Sequence, residues 1–221
     1  MTITLAIIIF TCLVSISALN NAKLMDDLIF YAPAIAQRKQ YYRFLSHGFL
    51  HADFLHLAFN MFALYSFGQA VETMLYSHEC VFGTKGKLFY ILLYVGALVV
   101  ASIPDYMRHR NNYNYRSLGA SGAVSAVIFA AIALLPQLPI NFFFIPIDIP
   151  GYIFGLLYLG ISAYLDKRGG GNINHSAHFW GAAFGLIFTF VCGQVFGNMN
   201  VIENFTRQVQ SFGRLLPFQC N

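Results

Sequence analysis

Six runs of mostly apolar residues, each close to the length of a membrane-spanning helix, limit how this sequence of 221 residues can fold. A helix needs about 20 such residues to cross the hydrocarbon core of a bilayer. Only 10% of the residues are charged, whereas soluble domains carry about 25%, so the chain cannot cover a water-facing surface of this size. The sequence therefore predicts an all-α, polytopic membrane protein with six transmembrane helices.

The breaks between the apolar runs set the expected helix ends. Pro104 and Asp105 are expected to end the third helix, and Pro136 and Pro139 the fourth, because proline removes a helical hydrogen bond. The glycine-rich stretch 167–171 predicts a flexible hinge after the fifth helix. The predicted helices cover about residues 1–19, 54–76, 87–103, 118–136, 149–165 and 176–197.

The two ends of the chain and the first connection have distinct compositions. The first run, 1–19, has the small residues of a signal-peptide cleavage site near its end, but it lacks a basic N-terminal region and is long enough to span a bilayer. We interpret it as the first transmembrane helix. The connection 20–53 is rich in aromatic and basic residues, which favour the lipid–water interface. Residues 1–198 form one predicted membrane domain, and 199–221 form a short polar tail outside the bilayer.

The four cysteines lie far apart and form no CxxC motif; they are Cys12, Cys80, Cys192 and Cys220. Cys12 and Cys192 fall inside apolar runs, where a thiol packs as a small hydrophobic group. We interpret all four as inert packing or surface residues and predict no disulfide framework. The net charge of +4 is mild and the basic residues are scattered, so no nucleic-acid partner is expected.

The basic residues are distributed unevenly between the two ends of the predicted helices. Cytoplasmic loops usually carry more Lys and Arg, and a cytoplasmic N-terminus would leave most of them on the opposite side. This rule alone therefore predicts the reverse orientation. The opposite side would carry Lys23, Arg38, Lys39, Arg43, Arg108, Arg110, Arg116, Lys167 and Arg168, against Lys85, Lys87, Arg207 and Arg214 on the cytoplasmic side.

Polar residues enter the apolar runs near the N-terminal ends of the second, fourth and sixth helices. Polar groups at membrane depth are costly and need a partner or a function. His56 and Asn60 are four residues apart, so they share one face of the second helix. Because alternate helices of the bundle run parallel, His56, Asn60, Ser121 and His178 are expected at a similar depth near one membrane face.

Small residues predict a close contact between the fourth and sixth helices. Gly122 begins a stripe of small residues on the fourth helix, and Gly181 and Gly185 form a GxxxG pattern on the sixth. Such stripes let two helix backbones approach closely in lipid. We hypothesise that this contact brings Ser121 within reach of His178.

Ser121 has two interpretations. It is either a small residue suited to packing, whose hydroxyl bonds the carbonyl one turn back, or a nucleophile activated by His178 as general base. Nucleophilic attack on a carbonyl creates an oxyanion that needs preorganised donors. The side chains of His56 and Asn60 and the backbone N–H of Ser121 are suitable donors. The joint pattern on three helices favours the chemical interpretation.

In combination, these motifs resemble those of the rhomboid intramembrane serine proteases. They are GASG at 119–122 on the fourth helix, AHFWGAAFG at 177–185 on the sixth, and HGFLH with HLAFN within 47–60 on the second. The resemblance extends from about residue 40 to 190 and implies a six-helix, rhomboid-like bundle.

The resemblance also implies roles for individual residues. Ser121 is similar to the family's nucleophile and His178 to its general base, while His56, Asn60 and the Ser121 backbone N–H are similar to its oxyanion donors. Structural and packing roles are implied for Gly119, Gly122, Gly181, Gly185, His51, Arg43 and Glu72.

The sequence departs from the family pattern one turn after the serine. Family members often have a tyrosine there that packs on the histidine, whereas this chain has Ser125. Phe179 and Tyr158 are candidates to supply the missing aromatic ring. Asp166 is interpreted as a solvated helix end, and no aspartate suits a third catalytic position.

The activity that the resemblance implies is hydrolysis of peptide bonds in or next to transmembrane segments of other membrane proteins, without a metal or a cofactor. The protein would be a multi-pass protein of a bacterial inner membrane. Its N-terminus would be cytoplasmic and its active site would face the opposite side, in conflict with the distribution of basic residues. The sequence does not specify an oligomeric state.

Two other functions fit parts of the sequence. A non-catalytic relative that binds and escorts membrane helices would share the fold but lose the serine or the histidine, and both are present here. A metal-dependent enzyme or metal transporter would use His47, His51 and His56 as ligands. Against it, the sequence lacks an HExxH motif and carboxylates inside the predicted helices.

Overall fold

The computed structural model describes residues 1–142, 145–169, 171, 173–211 and 214–220, and most of them are helical. A π-helical turn, Ala70–Leu75, continues α5, and two short antiparallel strands, β1 (Pro139–Phe142) and β2 (Ile145–Pro150), precede α8. The helices are α1 (Ile3–Leu19), α2 (Ala22–Leu28), α3 (Ala32–Arg38), α4 (Arg43–Ser46), α5 (Phe54–Gln69), α6 (Gly86–His109), α7 (Ser121–Leu134), α8 (Gly151–Arg168), α9 (His175–Phe196) and α10 (Val201–Gln210).

Each of the six predicted runs contains a helix, namely α1, α5 with its π-helical turn, α6, α7, α8 and α9. In the described part of the chain, two helical segments are both long and apolar enough to cross a membrane, Gly83–His109 and His175–Phe196. Ile3–Leu19 and Ser121–Leu134 are apolar but shorter. The number of membrane crossings therefore stays a prediction.

The prediction that Pro104 and Asp105 end the third helix is wrong. Helix α6 continues through both residues to His109. Proline is tolerated inside membrane helices where neighbouring helices and hydroxyl side chains satisfy nearby backbone groups. Pro104 removes the helical donor of the Val100 carbonyl, and the Ser102 hydroxyl donates nearby, to the backbone carbonyls of Leu98 and Val99, both at 2.9 Å.

The all-α prediction holds for most of the chain but not between α7 and α8. Helix α7 is shorter than predicted and ends at Leu134, and the prolines that follow do not leave an unstructured break. The backbone instead forms the β1–β2 pair, in which Pro139 lies opposite Pro150 and Ile140 opposite Ile149. Proline excludes this stretch from a helix, and the extended chain pairs with itself.

The connection 20–53 contains three short α-helices and a 3-10 turn, His47–Phe49, and Arg43 joins α4 to α2 and to the residues that follow α2 and α3. The Arg43 side chain is buried, and its guanidinium donates to the backbone carbonyls of Asp26 at 2.8 Å and Ile29 at 2.6 Å. It also donates to the Gln40 side chain at 2.6 Å. Charge-assisted bonds of this kind are stronger than neutral ones, so Arg43 fixes the connection against α4.

At the end of the bundle opposite Ser121, the buried Glu72 joins the π-helical turn after α5 to the start of α1. Its carboxylate accepts from the backbone N–H of Ile3 at 2.7 Å and of Thr4 at 2.8 Å, and from the Thr4 hydroxyl at 2.7 Å. These groups are the free donors at the start of α1, which a carboxylate satisfies well. The prediction that carboxylates are missing from the helix interiors is wrong here and at Asp105 in α6.

The cysteine interpretation is wrong for two of the four residues. Cys80 and Cys220 form a disulfide across a sequence separation of 140 residues. The tail contains the ten-residue helix α10, in which Asn204 donates to the carbonyl of Leu134 at 2.9 Å. The tail is therefore attached both to the α5–α6 connection and to the end of α7.

The centre of the bundle is a direct backbone contact between α7 and α9. A methyl group placed on Gly181 would overlap the backbone of Gly122, and one on Gly185 would overlap the backbone of Ala126. Nearly every residue of α7 is buried, so the other helices surround it. Because any side chain at Gly181 or Gly185 would separate these helices, the two glycines set their spacing.

Replacing Gly185 with alanine should lower thermal stability, because the added methyl group would push α7 and α9 apart. Overfilling a packed interior typically costs about 1–3 kcal/mol. Gly160→Ala in α8 is the matched control, since its methyl group would meet nothing within 4 Å and alanine favours a helix. Thermal unfolding in detergent measures both variants, and equal melting temperatures would contradict the contact.

Candidate active site

Ser121 is the first residue of α7, and the segment before it is fixed by backbone hydrogen bonds. Ser117 and Phe30 exchange two such bonds, at 3.0 and 3.2 Å, and the Gly119 N–H donates to the His47 carbonyl at 3.0 Å. A helix N-terminus has free N–H groups and a partial positive charge. The Ser121 hydroxyl therefore lies where developing negative charge is favoured.

Gly119 allows the ring of His56 to lie against this segment. Its φ of 122° is in a region that favours glycine. A methyl group on Gly119 would lie 3.0 Å from Cε1 and 3.2 Å from Nε2 of His56. The imidazole of α5 therefore reaches the chain two residues before Ser121.

His56 is held by the start of its own helix. Asp53 caps α5 and accepts from the His56 backbone N–H at 2.7 Å. The Ala52 N–H points to Nδ1 of the His56 ring at 3.4 Å, which makes Nδ1 an acceptor and places the ring proton on Nε2. The donor nitrogen is thus the one that faces Gly119, as an oxyanion donor requires.

Asn60 lies one turn further along the same face of α5 and is buried. Its side-chain amide donates to the His56 carbonyl at 3.0 Å. In this arrangement the amide is engaged with its own helix. Of the two oxyanion candidates on α5, His56 is the one whose ring reaches the segment before Ser121.

His178 lies in the first turn of α9, beside the contact with α7. A methyl group added to Gly122 would lie 3.3 Å from the Ala177 carbonyl oxygen, and Gly181 lies against the backbone of Gly122. Ser121 and His178 are the immediate sequence neighbours of two of these contacting residues. The structure thus brings the starts of α7 and α9 together.

The aromatic partner of His178 comes from α8. The Tyr158 ring is nearly parallel to the His178 ring, with 6.2 Å between centroids and 21° between planes. The hydroxyls of Tyr158 and Ser125 are 2.6 Å apart, and Ser125 also donates to the Ser121 carbonyl at 2.8 Å. Tyr158 rather than Phe179 therefore provides the ring, and Ser125 anchors it.

Two further histidines lie behind the site and are buried. Nδ1 of His51 is 3.0 Å from the Ser15 hydroxyl, and its ring lies edge-on to His56 at 4.9 Å. His47 packs edge-on to Phe30 at 5.6 Å and lines a small cavity with Ser121. Burial lowers the pKa of His47 to about 4, so it is neutral at pH 7.

The histidines that the sequence left open as metal ligands make other contacts in the structure. Across the described ranges of the chain, no group of three or more His, Cys, Asp or Glu side chains is placed to hold a metal ion. His51 instead meets Ser15, and His56 meets Gly119. The His51 ring therefore contacts α1, and the His56 ring contacts the segment before Ser121.

Sequence reasoning missed a polar network beside the site and misread one surface aspartate. Asp105 accepts hydrogen bonds from the Tyr115 hydroxyl and the Asn174 side-chain amide. Asp166 is not simply solvated, because its carboxylate forms a two-pronged ion pair with Arg108 at 2.9 and 3.1 Å. The signal that could have located the network is the pair Pro104–Asp105 within a long apolar run, which was interpreted as a helix end.

The fold is a helical bundle with serine, histidine and small-residue motifs at the starts of its helices, and comparison with known proteins identifies the family. Residues 38–195 match the family model described as the rhomboid domain. Because this match covers most of the chain, the protein belongs to the rhomboid family. It is therefore an integral membrane protein of a protease family, and the resemblance found in the sequence is confirmed.

Similar proteins occur in plant mitochondria and in bacteria. The chain is 30% identical over 151 residues to RHOMBOID-like protein 12, mitochondrial, of Arabidopsis thaliana, a match covering 65% of this chain but 44% of that protein. It is 27% identical to the putative rhomboid protease YdcA of Bacillus subtilis, covering 70% and 69% of the two chains. It is also 27% identical to the rhomboid protease GlpG of Haemophilus influenzae, covering 75% and 79%.

Proposed function

We propose that this protein is an intramembrane serine endopeptidase that cuts peptide bonds in or beside transmembrane segments of other membrane proteins. Ser121 is the nucleophile and His178 the general base. The observation that carries the proposal is the glycine contact that brings the starts of α7 and α9 together. Family membership and the relatives named as proteases support it.

The short length of α7 fits cleavage within the membrane. Helix α7 has 14 residues, so it rises about 21 Å, which is less than the ~30 Å of a hydrocarbon core. Because Ser121 begins this short helix, a bundle of six crossings over residues 1–198 would hold it below the membrane surface. A substrate segment could then meet the serine without leaving the bilayer.

The reaction follows from the groups at the site. The Ser121 oxygen bonds to the scissile carbonyl carbon while its proton passes to His178. The oxyanion is stabilised by the Ser121 backbone N–H, by Nε2 of His56 and by the amide of Asn60 once it turns from its helix. Breaking the carbon–nitrogen bond returns the proton from His178 to the leaving amine. Water, deprotonated by His178, then attacks the ester carbon. As the carbon–oxygen bond to Ser121 breaks, His178 gives this proton to the Ser121 oxygen, which restores both residues and releases the carboxylic acid product.

Ser121→Ala and His178→Ala should each abolish cleavage of a transmembrane substrate in liposomes, because each removes one partner of the dyad. Melting temperatures should stay near the wild-type value. Ser66→Ala is the matched control, since the Ser66 hydroxyl is exposed and bonds the carbonyl one turn back. A fluorophosphonate probe should label the wild type and the control but neither dyad variant. Cleavage or labelling that survives in either dyad variant would exclude the dyad, and an unlabelled wild type would favour the helix-escort function.

Tyr158 orients His178 in this proposal, because its ring packs on the imidazole and its hydroxyl is held by Ser125. Tyr158→Ala should lower turnover about 10–100-fold, since small displacements of a catalytic group are costly. Tyr158→Phe keeps the ring and should lose only a few-fold. The exposed Tyr164 on the same helix is the control, and Tyr164→Ala should cleave at the wild-type rate. Equal rates for Tyr158→Ala and this control would remove Tyr158 from the mechanism.

We adopt the orientation that the family implies, with a cytoplasmic N-terminus and Ser121 towards the opposite side. Several basic residues at the Ser121 end have structural partners, which explains their presence independently of insertion. Arg108 pairs with Asp166, and Arg116 with Asp26. In this orientation Cys80 and Cys220 lie at the cytoplasmic end, because Glu72 joins the N-terminus to the end of α5 near Cys80.

Cys80 and Cys220 are bonded in the structure, but in this orientation they should be reduced in growing cells, because cytosolic thiol systems keep such pairs reduced. A permeant maleimide added before lysis blocks free thiols, and a PEG-maleimide added after reduction labels only the thiols that had been in a disulfide. The wild-type protein should then show no gel shift. The Cys80→Ser/Cys220→Ser variant is the control and should also show none. A shift by two PEG groups in the wild type alone would mean a disulfide in cells and the reverse orientation.

A further inference from the structure

Asp105 is a buried carboxylate that the proposed reaction does not use. It lies in α6 with an exposed fraction of 1%. One of its oxygens, Oδ2, accepts from the Tyr115 hydroxyl at 2.6 Å and from the Asn174 side-chain amide at 2.5 Å. A buried carboxylate is costly without such donors, so this arrangement fixes the places of all three residues.

The first branch of this network leads to His178. Asn174 is the N-cap of α9, and its side-chain oxygen accepts from the Ala177 N–H at 2.9 Å. Its backbone carbonyl accepts from the His178 N–H at 3.3 Å. Because the amide of the same side chain is held by Asp105, the first turn of α9 is tied to α6.

The second branch leads to Ser121. Tyr115 begins the segment that runs through Ser117 to the serine, and its ring stacks on His109 at 3.6 Å. The Asn174 amide is also 3.3 Å from the Ser117 hydroxyl, so the two branches meet at Asn174. Burial and the Asp105 carboxylate raise the pKa of Tyr115 well above its usual value, which keeps its hydroxyl a donor at neutral pH.

We propose that Asp105 is a positioning residue that sets the spacing of Ser121 and His178 by holding Tyr115 and Asn174 on one carboxylate oxygen. This inference rests on the proposed function. The glycine contact fixes how closely the axes of α7 and α9 approach. The Asp105 network fixes the positions of two residues: Asn174, which caps the first turn of α9, and Tyr115, which begins the segment before Ser121.

The exchange of the two interacting groups tests this role. Asp105→Asn leaves two amides facing each other, and Asn174→Asp leaves two carboxylates. The double variant Asp105→Asn/Asn174→Asp restores one amide and one carboxylate, keeps an oxygen for the Ala177 N–H and keeps an acceptor for Tyr115. Asp166→Asn is the matched control, because Asp166 also bridges α6 to another helix but lies on the surface.

The measurement is turnover per active site in liposomes, with sites counted by complete fluorophosphonate labelling. Each single variant should lose about 10–100-fold in kcat and in labelling rate, with KM changed less than about threefold, because only the alignment of the dyad changes. The double variant should recover to within about fivefold of wild type, and Asp166→Asn should match wild type. Tyr115→Phe, which removes one hydroxyl, should show a loss of a few-fold and replaces Asp105→Asn if that variant does not fold.

A purely structural role predicts a different result. Variants would then melt at a lower temperature and yield fewer labelled sites, but each labelled site would turn over at the wild-type rate. That outcome, or a double variant no better than the worse single variant, would overturn the positioning role alone. A wild type that neither cleaves nor labels would overturn the proposed function and the positioning role with it.

Discussion

The backbone contact between α7 and α9 is the interaction on which the rest of the structure depends. Lipid tails are as apolar as the helix surfaces, so helices in a membrane associate through close packing rather than through a hydrophobic driving force. Gly181 lies against Gly122 at this contact, and no side chain fits between them. Because Ser121 and His178 are the sequence neighbours of contact residues, bundle stability and the proposed chemistry depend on the same few atoms.

The sequence predicted this contact well because its signal is local. Small residues spaced four apart, with a polar residue beside each stripe, identify the helices that meet and the faces they use. The starts of α5, α7 and α9 could likewise be placed near one another, because alternate helices of a bundle run parallel. Family membership adds the expected role of each motif, which the spacing alone does not provide.

The features that sequence reasoning missed join residues that are far apart in the chain. Asp105 meets Asn174 across 69 residues, and Pro104 beside it carries the ordinary signal of a helix end. Cys80 and Cys220 are 140 residues apart, with no motif to connect them. In each case the outcome is decided by what surrounds the residue in three dimensions, and a local pattern does not contain that information.

The position of Tyr158 has a consequence for how a bundle of this kind can open. The ring that packs on His178 belongs to α8, a separate helix, whereas a tyrosine at the place of Ser125 would move with Ser121 on α7. If a substrate segment enters by displacing α8, it must first separate Tyr158 from both Ser125 and the imidazole. Substrate entry and alignment of the catalytic base would then exclude each other. While α8 is displaced, His178 would lack its packing partner, and cleavage would begin only after α8 has returned.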